Sequence, residues 1–133
     1  MTGVQTCALP IFTAGISDDE LAGLLASAEL AVVPSLYEGF SLPAVEHMAS
    51  GTPLIASRAG ALPEVTGDAA LLVPPGDPEE LSAALGGLLD DASARAGLAS
   101  SGLARVRERF AWPAVAAATE ALYRKVINGE TGC

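Results

Sequence analysis

Between residues 30 and 51 the chain reads Leu30-Ala31-Val32-Val33-Pro34, then Ser35-Leu36-Tyr37-Glu38-Gly39-Phe40-Ser41-Leu42-Pro43, then Ala44-Val45-Glu46-His47-Met48-Ala49-Ser50-Gly51. A short, unbroken apolar run closed by proline reads as a strand covered on both faces. Pro43 suits the start of a helix, where the N–H it lacks would have no intrahelical partner. Gly51 suits the residue that closes one. The stretch is therefore strand, loop and helix. Gly39 lets backbone approach a ligand closely. The free N–H groups from Phe40 to Val45 form a small anion site at a helix N-terminus. Such a loop lies at the carboxyl end of a parallel strand, where open α/β sheets bind ligands. Many loops of this kind only turn the chain. Glu38 and Glu46, with seven residues between them, raise this one above that reading.

The remaining elements extend the pattern. Phe12 to Ile16 reads as a short strand, and Ser17-Asp18-Asp19-Glu20 as a capped helix start with a capping box. Leu21, Leu24, Leu25 and Ala28 supply that helix's apolar face, and Glu29 to Pro34 is the buried strand. Further strands are predicted at Leu54–Ser57 and Ala70–Val73, with one helical turn at Leu62–Thr66 between them. Helices are predicted from Asp77 to about Leu89, from Ser93 to Arg109 and from Pro113 to Val126. The order βαβαββααα fits one half of a doubly wound parallel α/β sheet with a helical tail.

Composition sets the outer bounds. A chain of 133 residues, half of them hydrophobic, makes one packed domain or part of one. Its apolar runs are too short to cross a bilayer, so no transmembrane segment is expected. Sixteen acidic and seven basic residues give a net charge of −9, which argues against nucleic acid as a partner. Every basic residue except Arg58 follows Ala92: Arg95, Arg105, Arg107, Arg109, Arg124 and Lys125. That cluster reads as a solvated helical face. Cys7 and Cys133 sit near opposite ends, and with one histidine in the chain there is no metal-ligand spacing. A reducing, cytoplasmic location is the expectation. No Gly-x-Gly-x-x-Gly follows a strand, which weighs against a dinucleotide-dependent oxidoreductase.

The segment from Glu38 to Glu46 resembles the Glu-x7-Glu signature of retaining, nucleotide-sugar-dependent glycosyltransferases of the GT-B fold, glycosyltransferase family 4 or group 1. Ser50–Ala56, Gly60–Val65 and Arg109–Trp112 match further stretches of that family in order, so the resemblance covers residues 12 to 125. It implies a partial Rossmann-like sheet, the C-terminal half of a nucleotide-sugar-binding domain. It also implies transfer of a sugar from a UDP-, GDP- or ADP-linked donor with retention. By resemblance Glu38 is the candidate catalytic carboxylate, near the reacting carbon. Glu46 takes the ribose, a role that suits a carboxylate because it accepts two strong hydrogen bonds. Backbone of Gly39, Phe40, Ser41 and Leu42 meets phosphate or sugar oxygens. Ile16 stands where backbone touches the nucleobase, although Ala14 occupies the position of the family's usual glycine.

Neither metal nor cofactor is implied, the nucleotide-sugar being a substrate. His47 reads as a packing histidine, Glu64 as a brace of its own loop, and Phe110 and Trp112 as docking residues for the tail. The arginine and lysine that the family places on the diphosphate, with the acceptor domain, would lie upstream; Arg58 comes too late in the order. Met1 to Ile11 resembles a translated sequencing adapter. The expected organisation is therefore a non-native segment at 1–11, a partial donor-binding domain at 12–127 and a tail at 128–133. Such a fragment is expected to be inactive alone, and peripheral contact with a membrane remains open for its parent. A non-catalytic nucleotide-binding domain of the same fold is the alternative.

Overall fold

Ala31–Val33 forms strand β1, which pairs in parallel with β2 at Leu54–Ser57, and β2 pairs in parallel with β3 at Leu71–Val73. The sheet order is β1-β2-β3, with Ala31 opposite Leu54 and Ile55 opposite Leu71. This is a computed structural model, and it describes residues 12–129. The adapter-like residues 1–11 and most of the 128–133 tail lie outside the described residues.

The described residues form six helices: α1 Asp18–Ser27, α2 Leu42–Ala49, α3 Leu62–Thr66, α4 Pro78–Asp90, α5 Ala92–Arg109 and α6 Trp112–Ile127. Their boundaries follow local chemistry. The Ser17 hydroxyl accepts from the Glu20 N–H while the Glu20 carboxylate accepts from the Ser17 N–H, the expected capping box. The Asp77 carboxylate caps α4 and that of Asp91 caps α5. At the end of α2, Gly51 takes a φ of +71° and donates to the Met48 carbonyl, and Thr52 donates to that of His47. This left-handed closure requires the glycine.

Both faces of the sheet are covered, because side chains alternate along a strand. Leu54 and Ala56 pack with Ala44, Met48, Leu62 and Val65 on the α2–α3 side. Ile55 packs with Val73 and Leu88 on the α4 side. Helix α5 joins the two layers, with Ala94 and Leu98 against the second cluster and Val106 against the first. It reaches α2 at Gly102, where an added Cβ would lie 3.2 Å from the Met48 side chain. That close approach is the reason a helix interior carries glycine at this point.

Three expectations need correction. Phe12–Ile16 is not a strand: Phe12 is 91% exposed, Gly15 has a φ of +69°, and the segment pairs with no described strand. So short a strand holds its shape only when paired. The described order is therefore αβαβαβααα. Second, the basic cluster is not only a solvated face. Arg95 donates to the Leu88 and Leu89 carbonyls at the end of α4 and pairs with Glu29 at 3.2 Å. Arg105 donates to the Val65 and Glu64 carbonyls and so closes α3. Third, Trp112 docks nothing, being 85% exposed on a helix with no buried residue.

Candidate functional site

The loop that follows β1 is held chiefly at Glu38. The Ser35 hydroxyl donates to Glu38 Oε1 at 2.7 Å, and the Ala61 N–H donates to the Glu38 carbonyl at 2.9 Å. Gly60 makes the second contact possible, since a Cβ there would press into the Glu38 backbone, and its φ of +53° also favours glycine. Sequence reasoning gave no role to Ser35, although a hydroxyl three residues before a loop carboxylate is a usable signal. Gly60 entered it only as part of a matching stretch.

Beyond Glu38 the chain runs through Gly39 and Phe40 to Ser41, which has a φ of +75°, the one positive φ among described non-glycine residues. Ser41 occupies the N-cap of α2 but makes no capping bond, and its hydroxyl is buried without a partner. Strain and an unsatisfied polar group meet on one residue, the pattern that clusters at ligand sites. Gly39 itself is free of strain and has open space beside it.

One donor of the expected set at the helix start is taken internally. The Val45 N–H donates within the helix to the Ser41 carbonyl at 3.4 Å, and Pro43 has none. Among the described residues, the N–H groups of Gly39, Phe40 and Ser41 donate to no internal acceptor. Those of the exposed Gly39 and Phe40 are open to a ligand while Ser41 is buried, and the dipole of α2 adds to their field.

The predicted residues fall on two sides of this helix start. Gly39 and Phe40 line a cleft of about 440 Å³ with Ala61, Glu64, Arg109 and Phe110. Glu46 lines a separate cleft of about 370 Å³ with Asp18, Leu21 and Leu25 of α1. Ile16 sits at the entrance to α1, two residues before Asp18, and is 37% exposed. Glu38 is half-buried and Leu42 is exposed; neither Glu38, Leu42 nor Ile16 lines a described cleft.

His47, beside Glu46, is half-buried with Nδ1 unpartnered. Burial lowers its pKa from the ordinary value, and the Glu46 carboxylate partly opposes the shift. Glu64 lies within α3 and braces no loop: its carbonyl accepts from Arg105, its carboxylate has no partner among the described residues, and the residue lines the larger cleft. Among the described residues no three His, Cys, Asp or Glu side chains gather as metal ligands. No described helix is long and apolar enough to cross a membrane.

A family model described as "Glycosyl transferases group 1" matches residues 6–91. The chain is 57% identical over 124 residues to the MMP alpha-(1->4)-mannosyltransferase of Mycolicibacterium hassiacum, covering 91% of this chain and 30% of that protein. It is similar in structure to sucrose-phosphate synthase from Thermosynechococcus elongatus, with TM-score 0.77 and 38% identity over 90% of this chain and 30% of the other. Anabaena Alr3699/HepE, solved in complex with UDP, is also similar, with TM-score 0.68 and 26% identity over 79% of this chain and 29% of the other. The chain thus spans about 30% of the length of such relatives. On the match of its sequence and of its two-sided parallel sheet, the chain belongs to the group 1 glycosyl transferases, and its fold is that of GT-B enzymes.

Proposed function

We propose that this chain is the donor-binding portion of a longer transferase, which moves a sugar from a nucleoside-diphosphate sugar to an acceptor hydroxyl with retention. The observation that carries this reading is the strained loop at the carboxyl end of β1, whose N–H groups point to no internal acceptor beside a fixed Glu38. The UDP bound by the Anabaena neighbour supports it.

In this reading the amides of Gly39, Phe40, Ser41 and Leu42 meet phosphate and sugar oxygens. Glu38 contacts the sugar near the reacting carbon, Glu46 takes the ribose, and backbone at Ile16 borders the base. The bond from the anomeric carbon to the diphosphate breaks, and the diphosphate leaves on the face that the acceptor oxygen enters. The acceptor oxygen bonds to the anomeric carbon while its proton passes to the departing diphosphate oxygen, and fixed dipoles stabilise the remaining charge on that leaving group. No metal takes part, and the reaction belongs to the cytoplasm or to the inner face of a membrane.

Titration of the complete transferase with UDP-glucose, ADP-glucose and GDP-mannose, followed by NMR of the product's anomeric proton, tests the proposal. Binding of one donor and a product of unchanged configuration are expected. Inversion removes the retaining mechanism. Donor binding with no transfer to any acceptor favours the non-catalytic alternative.

A further inference from the structure

The Arg109–Trp112 stretch has a role beyond joining two helices. The Phe110 ring meets that of Phe40 edge to face, with centroids 5.6 Å apart and planes at 79°. Such a pair orients its members as well as packing them. The Phe110 side is anchored: its N–H donates to the Val106 carbonyl at 2.9 Å, and both residues pack on the α2–α3 core. Helix α5 is in turn fixed by Gly102 against Met48 and by Arg105 on the Val65 carbonyl. On the loop side, Ala61 holds Glu38 and Phe110 meets Phe40, so the two anchors bracket Gly39.

We propose that Phe110 is a positioning residue for the donor loop, holding the N–H groups of Gly39 to Leu42 in the arrangement a diphosphate sugar requires. The inference rests on the donor-loop reading above. A loop ordered before binding loses less entropy when the ligand arrives, so its clamp shows in affinity as well as in motion.

Backbone ¹⁵N relaxation on this chain, with donor titration of the complete transferase, tests it. In Phe110→Ala the order parameters of Gly39 to Ser41 should fall toward the flexible range below about 0.6, while those of Ile55 to Ser57 keep the rigid value near 0.85. Donor affinity should weaken about tenfold. Phe110→Tyr, which keeps the ring, should restore both. Unchanged loop order or unchanged donor affinity in Phe110→Ala overturns the proposal. If that variant loses order throughout, Phe110→Leu decides, since it keeps bulk on the core without the ring edge. A loosened loop over an intact β2 then supports the clamp, and an unaltered loop overturns it. Should the wild-type transferase bind none of the three donors, the donor reading fails, while the relaxation comparison still decides whether Phe110 orders the loop.

Discussion

Ser41 shows where local preference gives way to tertiary demand. A left-handed serine costs about 1–2 kcal/mol relative to a right-handed conformation, and its buried hydroxyl gains nothing here. Ser41→Gly should therefore raise stability by about 0.5–1 kcal/mol after the larger chain entropy of glycine is deducted; urea unfolding measures it, and a loss would mean that the hydroxyl has a partner. Glu46→Ala in the complete transferase should weaken donor binding by about 1–3 kcal/mol, the usual loss for a charged hydrogen-bond partner. Unchanged affinity by calorimetry removes Glu46 from the site. Glu38→Ala should lower kcat more than donor affinity, and near-normal turnover would end its assigned role. His47 carries a pH dependence. Its folded pKa lies below the unfolded value of about 6.5, so at lower pH the unfolded chain binds more protons and stability falls. His47→Gln should flatten the stability profile from about pH 6.5 downward, until carboxylates begin to titrate. An unaltered slope would place the imidazole in water.

At the scale of elements, caps were readable and depths were not. The Ser17–Glu20 box, the Asp77 cap and the Gly51 closure follow from local sequence, because each bond spans a few residues. Yet α1 and α6 bury no residue despite their apolar patterns. Periodicity shows which face could be buried, and only a packed neighbour decides whether it is. The α2–α5 contact was unreadable for the same reason: in an alanine-rich helix Gly102 is locally one more small residue. Gly102→Leu should cost about 1–3 kcal/mol through overpacking against Met48, measurable as a lower urea midpoint. Retained stability would show that α5 can shift away from α2.

On the scale of the whole molecule, β1 pairs on one edge only among the described strands, and the loop lies in an acidic chain of net charge −9. Arg109 shares the Gly39–Phe40 cleft with Glu64 and Glu108, so the local balance is negative too. Amides facing such a field should hold a diphosphate weakly. This chain alone should bind UDP-, GDP- or ADP-sugars no tighter than millimolar, about −4 kcal/mol. Micromolar binding by the monomer in calorimetry would refute that expectation. The α/β class, the strand at Ala31–Val33 and the loop into α2 were legible in the amino-acid sequence alone, since apolar runs, proline and glycine act through their immediate neighbours. Which residues share a cleft was not. Glu46 turns toward α1 while Gly39 and Phe40 face α3 and the α5–α6 junction, and Phe12–Ile16 stays unpaired. Those outcomes depend on contacts between residues far apart along the chain, such as Ala61 with Glu38, Arg105 with Val65 and Phe110 with Phe40, which no local pattern encodes.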